Sequence, residues 1–175
     1  SPHSNECAKG IKDAWDNVSG EYADLILVLE GGNEEAVALC EDKRINLVSA
    51  TGSTQMGKEL APIVSARLGK LLLELGGNNA AIVCPSANLD LTIKGIAFSA
   101  CGTTGQRCTS LRRLFVQEDI YDDCVKRLEN CFADLVIGCP TKESSQIGPL
   151  ISEQSFNSMQ DTINSLKQKG VNVLG

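Results

Sequence analysis

Residues 45–75, INLVSATGSTQMGKELAPIVSARLGKLLLEL, carry the pattern from which the fold is read. Ile45 to Ala50 is a short run of strand character that flows into Thr51-Gly52-Ser53-Thr54. From Thr54 to about Arg67 the apolar positions Met56, Leu60, Ile63, Val64 and Leu68 follow helical three-and-four spacing, with Pro62 inside as a point of kinking. Lys70 to Leu75 is then a strand, apolar except at Lys70 and Glu74. Strand, helix and strand in that order call for a crossover and parallel pairing.

The alternation continues on both sides. Upstream, Asn5 to Val18 has helical spacing at Cys7, Ile11, Ala14 and Trp15. Leu25 to Leu29 reads as a strand ending in Gly31-Gly32, and Glu34 to Cys40 as a short helix. Downstream, the Gly76-Gly77-Asn78-Asn79 turn precedes a buried-type strand, Ala80 to Cys84. A helix from about Leu89 to Ala100, capped by Ser86 or Asn88, follows it. Cys101 to Ser110 is a Gly/Thr-rich loop or broken helix. Then come a strand at Arg113 to Gln117, an amphipathic helix at Ile120 to Leu135, a loop at Ile137 to Leu150, a helix at Glu153 to Gln168 and a last strand at Val171 to Leu174. The expected class is α/β with a mostly parallel sheet, and the boundary between two lobes is expected between Glu74 and Cys108. Both ends of the chain look cut, as in an internal portion of a longer enzyme.

Composition excludes several function classes. Net charge is −6, with lysines and arginines scattered, so the chain lacks the basic footprint of a nucleic-acid binder. No apolar stretch approaches the ~20 residues that span a bilayer, and the first residues lack the form of a signal peptide, which together predict a soluble protein of the cytoplasm, with the mitochondrion as the alternative. Eight cysteines spread along hydrophobic segments suit reduced, buried thiols. With no Cys-x-x-Cys and His3 as the only histidine, no metal site is expected.

Three stretches carry chemistry. Thr51 to Gly57 follows a strand and opens a helix, so backbone amides and hydroxyls converge where a phosphate could sit; on that stretch alone, a helix N-cap at Ser53 or Thr54 is the stronger reading. Glu74 is a carboxylate among leucines, a setting that suits proton shuttling, although a solvent-facing strand end is the plainer account of it taken alone. Cys108 differs from the other thiols in its flanks, Gln106, Arg107, Thr109 and Ser110, where a neighbouring cation favours the thiolate. Cys124 and Cys131, seven apart on one helix face, read as core.

Taken together, Ala50-Thr51-Gly52-Ser53-Thr54-x-x-Gly57, Leu73-Glu74-Leu75-Gly76-Gly77 and Gly105-Gln106-x-Cys108 resemble, in order and spacing, the signatures of the aldehyde dehydrogenase superfamily. Gly148-Pro149-Leu150 with Gln154 resembles the segment that family carries after its nucleophile. Asn78-Asn79 and Cys108-Thr109 with Arg112-Arg113-Leu114-Phe115 are most similar to its antiquitin (α-aminoadipic semialdehyde dehydrogenase) branch. The resemblance implies a Rossmann-like NAD-binding part over residues 1–76 and the start of the catalytic domain over 77–175.

It also implies roles. Cys108 would be the nucleophile and Glu74 the base that activates water; Gly52, Ser53, Gly57, Leu75 and Gly76 would bind NAD or NADP; Arg107 would anchor the substrate's carboxylate. The implied partners are a small aldehyde and further copies of the chain, in a tetramer or dimer. Ala50 stands where an aromatic residue is common in the wider family. The oxyanion-hole asparagine and the adenosine-ribose lysine are expected before Ser1, and the nicotinamide-ribose glutamate beyond Gly175, so the 175 residues alone are expected to be inactive and poorly stable. An acylating or otherwise selective semialdehyde dehydrogenase is the alternative within the superfamily, and a catalytically silent paralogue the alternative outside enzymes.

Overall fold

The computed structural model describes residues 2–174, so the expected chain ends at Ser1 and Gly175 lie outside the described residues. The chain forms two compact units, one ending at Leu75 and the other beginning at Gly76. Both are α/β.

In the first unit, α1 (Asn5–Ser19) is followed by a 3₁₀ turn over Gly20–Leu25 and extended chain, then α2 (Asn33–Glu41), β1 (Leu47–Thr51), α3 (Thr54–Ala66) and β2 (Lys70–Glu74). Strands β1 and β2 pair in parallel, with Ala50 opposite Leu73 and Thr51 opposite Glu74. Alternation along the strands sorts their side chains between two faces. Val48, Ala50 and Leu71 turn toward the buried cluster of Cys40, Leu60 and Val64 from α2 and α3. Leu47, Leu72 and Glu74 lie on the exposed face. Pro62 lies within α3 without ending it.

The second unit repeats the arrangement with β3 (Asn79–Val83), α4 (Leu89–Cys101), β4 (Leu111–Val116) and α5 (Tyr121–Ala133), followed by a loop and α6 (Glu153–Gln168). β3 and β4 are parallel, and a register shift between Asn79 and Ala80 gives β4 one extra residue: Asn79 faces Leu111 while Ala80 faces Arg113. The core is built from Val83, Ile93, Ile96, Ala97 and Cys124. Asn88 caps α4 by accepting from the Leu91 amide at 3.2 Å. Arg127 of α5 reaches Asp90 of α4 at 2.7 Å.

Two expected strands are absent. Of Leu25 to Leu29, the first residue ends the 3₁₀ turn and the rest have no strand pairing, and neither has Val171 to Leu174, among the described residues. Both are apolar runs of the right composition, but a strand also needs a partner to take its backbone groups, and periodicity does not record that partner. Among the described residues no helix is long and apolar enough to cross a membrane.

Candidate active site

The first unit gathers its candidate residues at the carboxyl ends of β1 and β2, the edge at which parallel α/β sheets bind ligands. The Gly52 amide donates to the Glu74 carbonyl at 3.0 Å, tying the turn after β1 to the end of β2. Ser53 caps α3, its Oγ accepting from the Met56 amide at 3.1 Å, so the capping account of this motif describes what the hydroxyl does. Gly57 is buried under Leu75: a Cβ there would stand 2.6 Å from Leu75 Cδ1. That close approach packs α3 against the strand end. A Cβ on Gly52 would likewise meet Met56 Sδ at 2.6 Å. The first turn of α3 carries no acidic side chain, so the site fits a phosphate group. Glu74 is exposed at the last position of β2, on the open face with Leu72 rather than enclosed among leucines.

In the second unit Cys108 is exposed at its position before β4. Its turn is pinned from below. Ser110 is fully buried; its Oγ accepts from the Arg107 amide at 3.1 Å, and its own amide donates to the Arg107 carbonyl at 3.1 Å. The Asn79 side-chain amide donates to the carbonyls of Cys108 at 2.7 Å and Ser110 at 3.0 Å. Gly77 completes the fit, since a Cβ there would lie 3.1 Å from the Cys108 carbonyl oxygen. Gly76 has open space around it. Arg113 donates through Nε and Nη2 to the Asn78 carbonyl at 3.2 and 2.8 Å, fixing the approach to β3. Gly77, Asn79 and Ser110 stand in the quoted motifs and flanks, but the sequence assigned none of them a role of its own.

Arg107 is half-buried, with its guanidinium donating to the Phe98 carbonyl at 3.1 Å and lying 5.1 Å from the Phe98 ring centroid, a cation–π pair. Its Nε is buried without a hydrogen-bond partner.

Upstream of Cys108 the backbone is strained. Thr103 and Thr104 have φ of 55° and 58° and Gly105 of 66°, a left-handed turn in which the two β-branched residues each cost about 1–3 kcal/mol. All eight cysteines are free thiols, but the expectation of burial holds only for some. Cys40 and Cys124 are buried, whereas Cys7, Cys84, Cys108 and Cys139 are exposed. The Thr141 hydroxyl, 3.1 Å from Cys139 Sγ, lowers that thiol's pKa, while burial raises those of Cys101 and Cys124.

A sequence model of the aldehyde dehydrogenase family matches residues 8–175. The chain belongs to the aldehyde dehydrogenase family. Among curated members, the α-aminoadipic semialdehyde dehydrogenase of Rattus norvegicus is 43% identical over 144 residues, which are 82% of this chain and 27% of that protein. Among solved aldehyde dehydrogenases, an NAD-dependent enzyme from Sinorhizobium meliloti superposes with a TM-score of 0.79 at 33% identity, over 82% of this chain and 28% of that one. An NADP-dependent enzyme from E. coli superposes at 0.78 with 31% identity, over 82% and 30%. The chain thus spans about a quarter of the length of these members of the family.

Proposed function

We propose that this chain supplies the nucleophile, the hydrolytic base and part of the cofactor site of an enzyme that oxidises an aldehyde or semialdehyde to the carboxylate with NAD(P)⁺. The observation that carries the reading is the exposed Cys108 on a turn held through its own carbonyl by Asn79, which fixes the backbone and leaves the sulfur free. Residues 1–76 are read as the C-terminal part of the NAD-binding domain and 77–175 as the N-terminal part of the catalytic domain.

Cys108, as thiolate, adds to the aldehyde carbon and forms a tetrahedral thiohemiacetal. A bound NAD(P)⁺ supplies the acceptor for the hydride that leaves that carbon. Glu74 then takes a proton from water; the hydroxide adds to the resulting thioester, the carbon–sulfur bond breaks to release Cys108 thiolate and the carboxylic acid, and the acid and Glu74 give up their protons to solvent. Gly52, Ser53 and Gly57, at the α3 N-terminus, would hold the cofactor's pyrophosphate, and the backbone of Leu75 and Gly76 would hold its nicotinamide end. Only Leu75 to Asn78 separate Glu74 from the asparagine that grips the Cys108 turn. Arg107 receives the carboxylate of a semialdehyde by exchanging the Phe98 carbonyl for it, the Phe98 ring holding its guanidinium in place throughout. The full-length enzyme is read as a homo-oligomer, dimer or tetramer, of the cytoplasm or mitochondrion.

The test is spectrophotometric. The purified full-length protein should form NADH or NADPH with a panel of semialdehydes, need no coenzyme A, and show Cys108 labelling by iodoacetamide that changes when NAD(P)⁺ is added. Turnover that requires coenzyme A would convert the reading to an acylating dehydrogenase. No turnover, with Cys108 labelling indifferent to the cofactor, would end it.

A further inference from the structure

We infer that Thr104 is a positioning residue for Cys108, acting through the segment 148–151; this rests on the proposed role of Cys108 as nucleophile. Three consecutive left-handed residues, two of them threonines, form a conformation that persists only where its surroundings enforce it. The surroundings that do so are specific. Thr104 Oγ1 donates to the Gly148 carbonyl at 2.8 Å and also lies 3.4 Å from that of Pro149. Gln106 Nε2 reaches the Thr103 carbonyl at 3.2 Å and the Pro149 carbonyl at 3.5 Å, while its Oε1 accepts from the Ile151 amide at 2.9 Å. The gripping segment has a footing of its own. Ile147 forms a bridge with Ile137, the Gly138 amide donates to the Ile147 carbonyl at 2.9 Å, and the Ser152 hydroxyl caps α6.

Cys108 therefore sits between two anchors: Asn79 holds the carbonyl side of its turn, and the Thr104 and Gln106 bonds to 148–151 hold the chain that enters it. With the entering chain released, the left-handed turn relaxes toward ordinary φ, and the sulfur loses its fixed direction even though the Asn79 bonds survive. Thr104 is where the effect can be isolated. Its hydroxyl makes the bond, while its β-branched shape opposes the φ that the bond maintains.

Four proteins separate the roles: wild type and the full-length variants Thr104→Val, Thr104→Ser and Thr104→Gly. Each is read for kcat and KM with one semialdehyde and for the iodoacetamide labelling rate of Cys108 relative to exposed Cys84, resolved by mass spectrometry. Thr104→Val keeps the shape without the donor and should lose about tenfold in kcat and in relative Cys108 labelling, with KM within about twofold. Thr104→Ser keeps the donor and should stay within about twofold of wild type in both. Thr104→Gly removes the bond together with the side chain that opposes the positive φ, so it is free of the steric cost on folding, and it should keep Cys108 reactivity above that of the valine variant. Wild-type labelling and kcat in the valine variant would overturn the inference, as would equal losses in the serine and valine variants. The labelling arm needs no turnover. An inactive wild type whose Cys108 labelling still falls in the valine variant would sink the proposed function and leave the positioning role standing.

Discussion

Asn79 is the side chain on which the candidate nucleophile's backbone depends. It spends both donated bonds on carbonyls of one turn, those of Cys108 and Ser110, and Ser110 is fully buried. Truncation leaves those acceptors without a protein donor, at a cost of about 1–3 kcal/mol. Asn79→Ala is accordingly expected to lower the unfolding free energy from urea titration by that amount and to slow turnover, measured on the same preparation. An unfolding free energy within about 0.5 kcal/mol of wild type would remove Asn79 from the account. Cys108 was legible as the candidate nucleophile because of its polar flanks and the register of three motifs. Asn79 was not, because its importance lies in a bond to a residue 29 positions away. The exposed thiols make a related point. Cys139, with its pKa lowered by Thr141, competes with Cys108 for an alkylating agent, so labelling order alone does not identify the nucleophile; its response to cofactor does.

At the scale of elements, the helices were legible to within about two residues because each carries its own periodicity, to which α3, α4 and α6 add a side-chain cap. The parallel strands β1 to β4 were legible from alternation with those helices. Leu25 to Leu29 and Val171 to Leu174 were misread because apolar composition suits a strand without supplying a neighbour for it. The glycines of the first unit show the same division. A Gly-rich turn was visible, but the close approach of Gly57 to Leu75 is a property of the packed helix and strand. Ser53 tests which function dominates at the start of α3. Ser53→Ala should cost about 1 kcal/mol through loss of the cap, and Ser53→Asn, which retains a capping oxygen, should restore the urea midpoint. If the hydroxyl also meets the cofactor, KM for NAD(P)⁺ stays raised in Ser53→Asn despite restored stability. A KM that recovers in step with stability would assign Ser53 to the cap alone.

For the molecule as a whole, each unit is a parallel strand pair with helices packed on one face and large apolar side chains exposed among the polar ones of the other. Leu72 is 51% exposed in the first, Ile82 and Phe115 77% and 53% in the second. Two-stranded sheets are marginal by themselves, and open strand edges invite further pairing. The 175 residues alone are therefore expected to have little stability to spare, for a reason that lies in uncovered sheet faces, which composition does not reveal. What remains distinctive is a strand-end carboxylate in one unit and a pinned, exposed thiol in the other, with Leu75 to Asn78 between the carboxylate and the asparagine that pins the thiol's turn. The division of labour between them is tested most directly by a single-turnover reaction of full-length Glu74→Gln with a semialdehyde and NAD(P)⁺, followed by digestion and mass spectrometry. The account predicts one equivalent of reduced cofactor and an acyl thioester that accumulates on the Cys108 peptide. Steady turnover without an adduct, or an acyl group on any other cysteine, would contradict it.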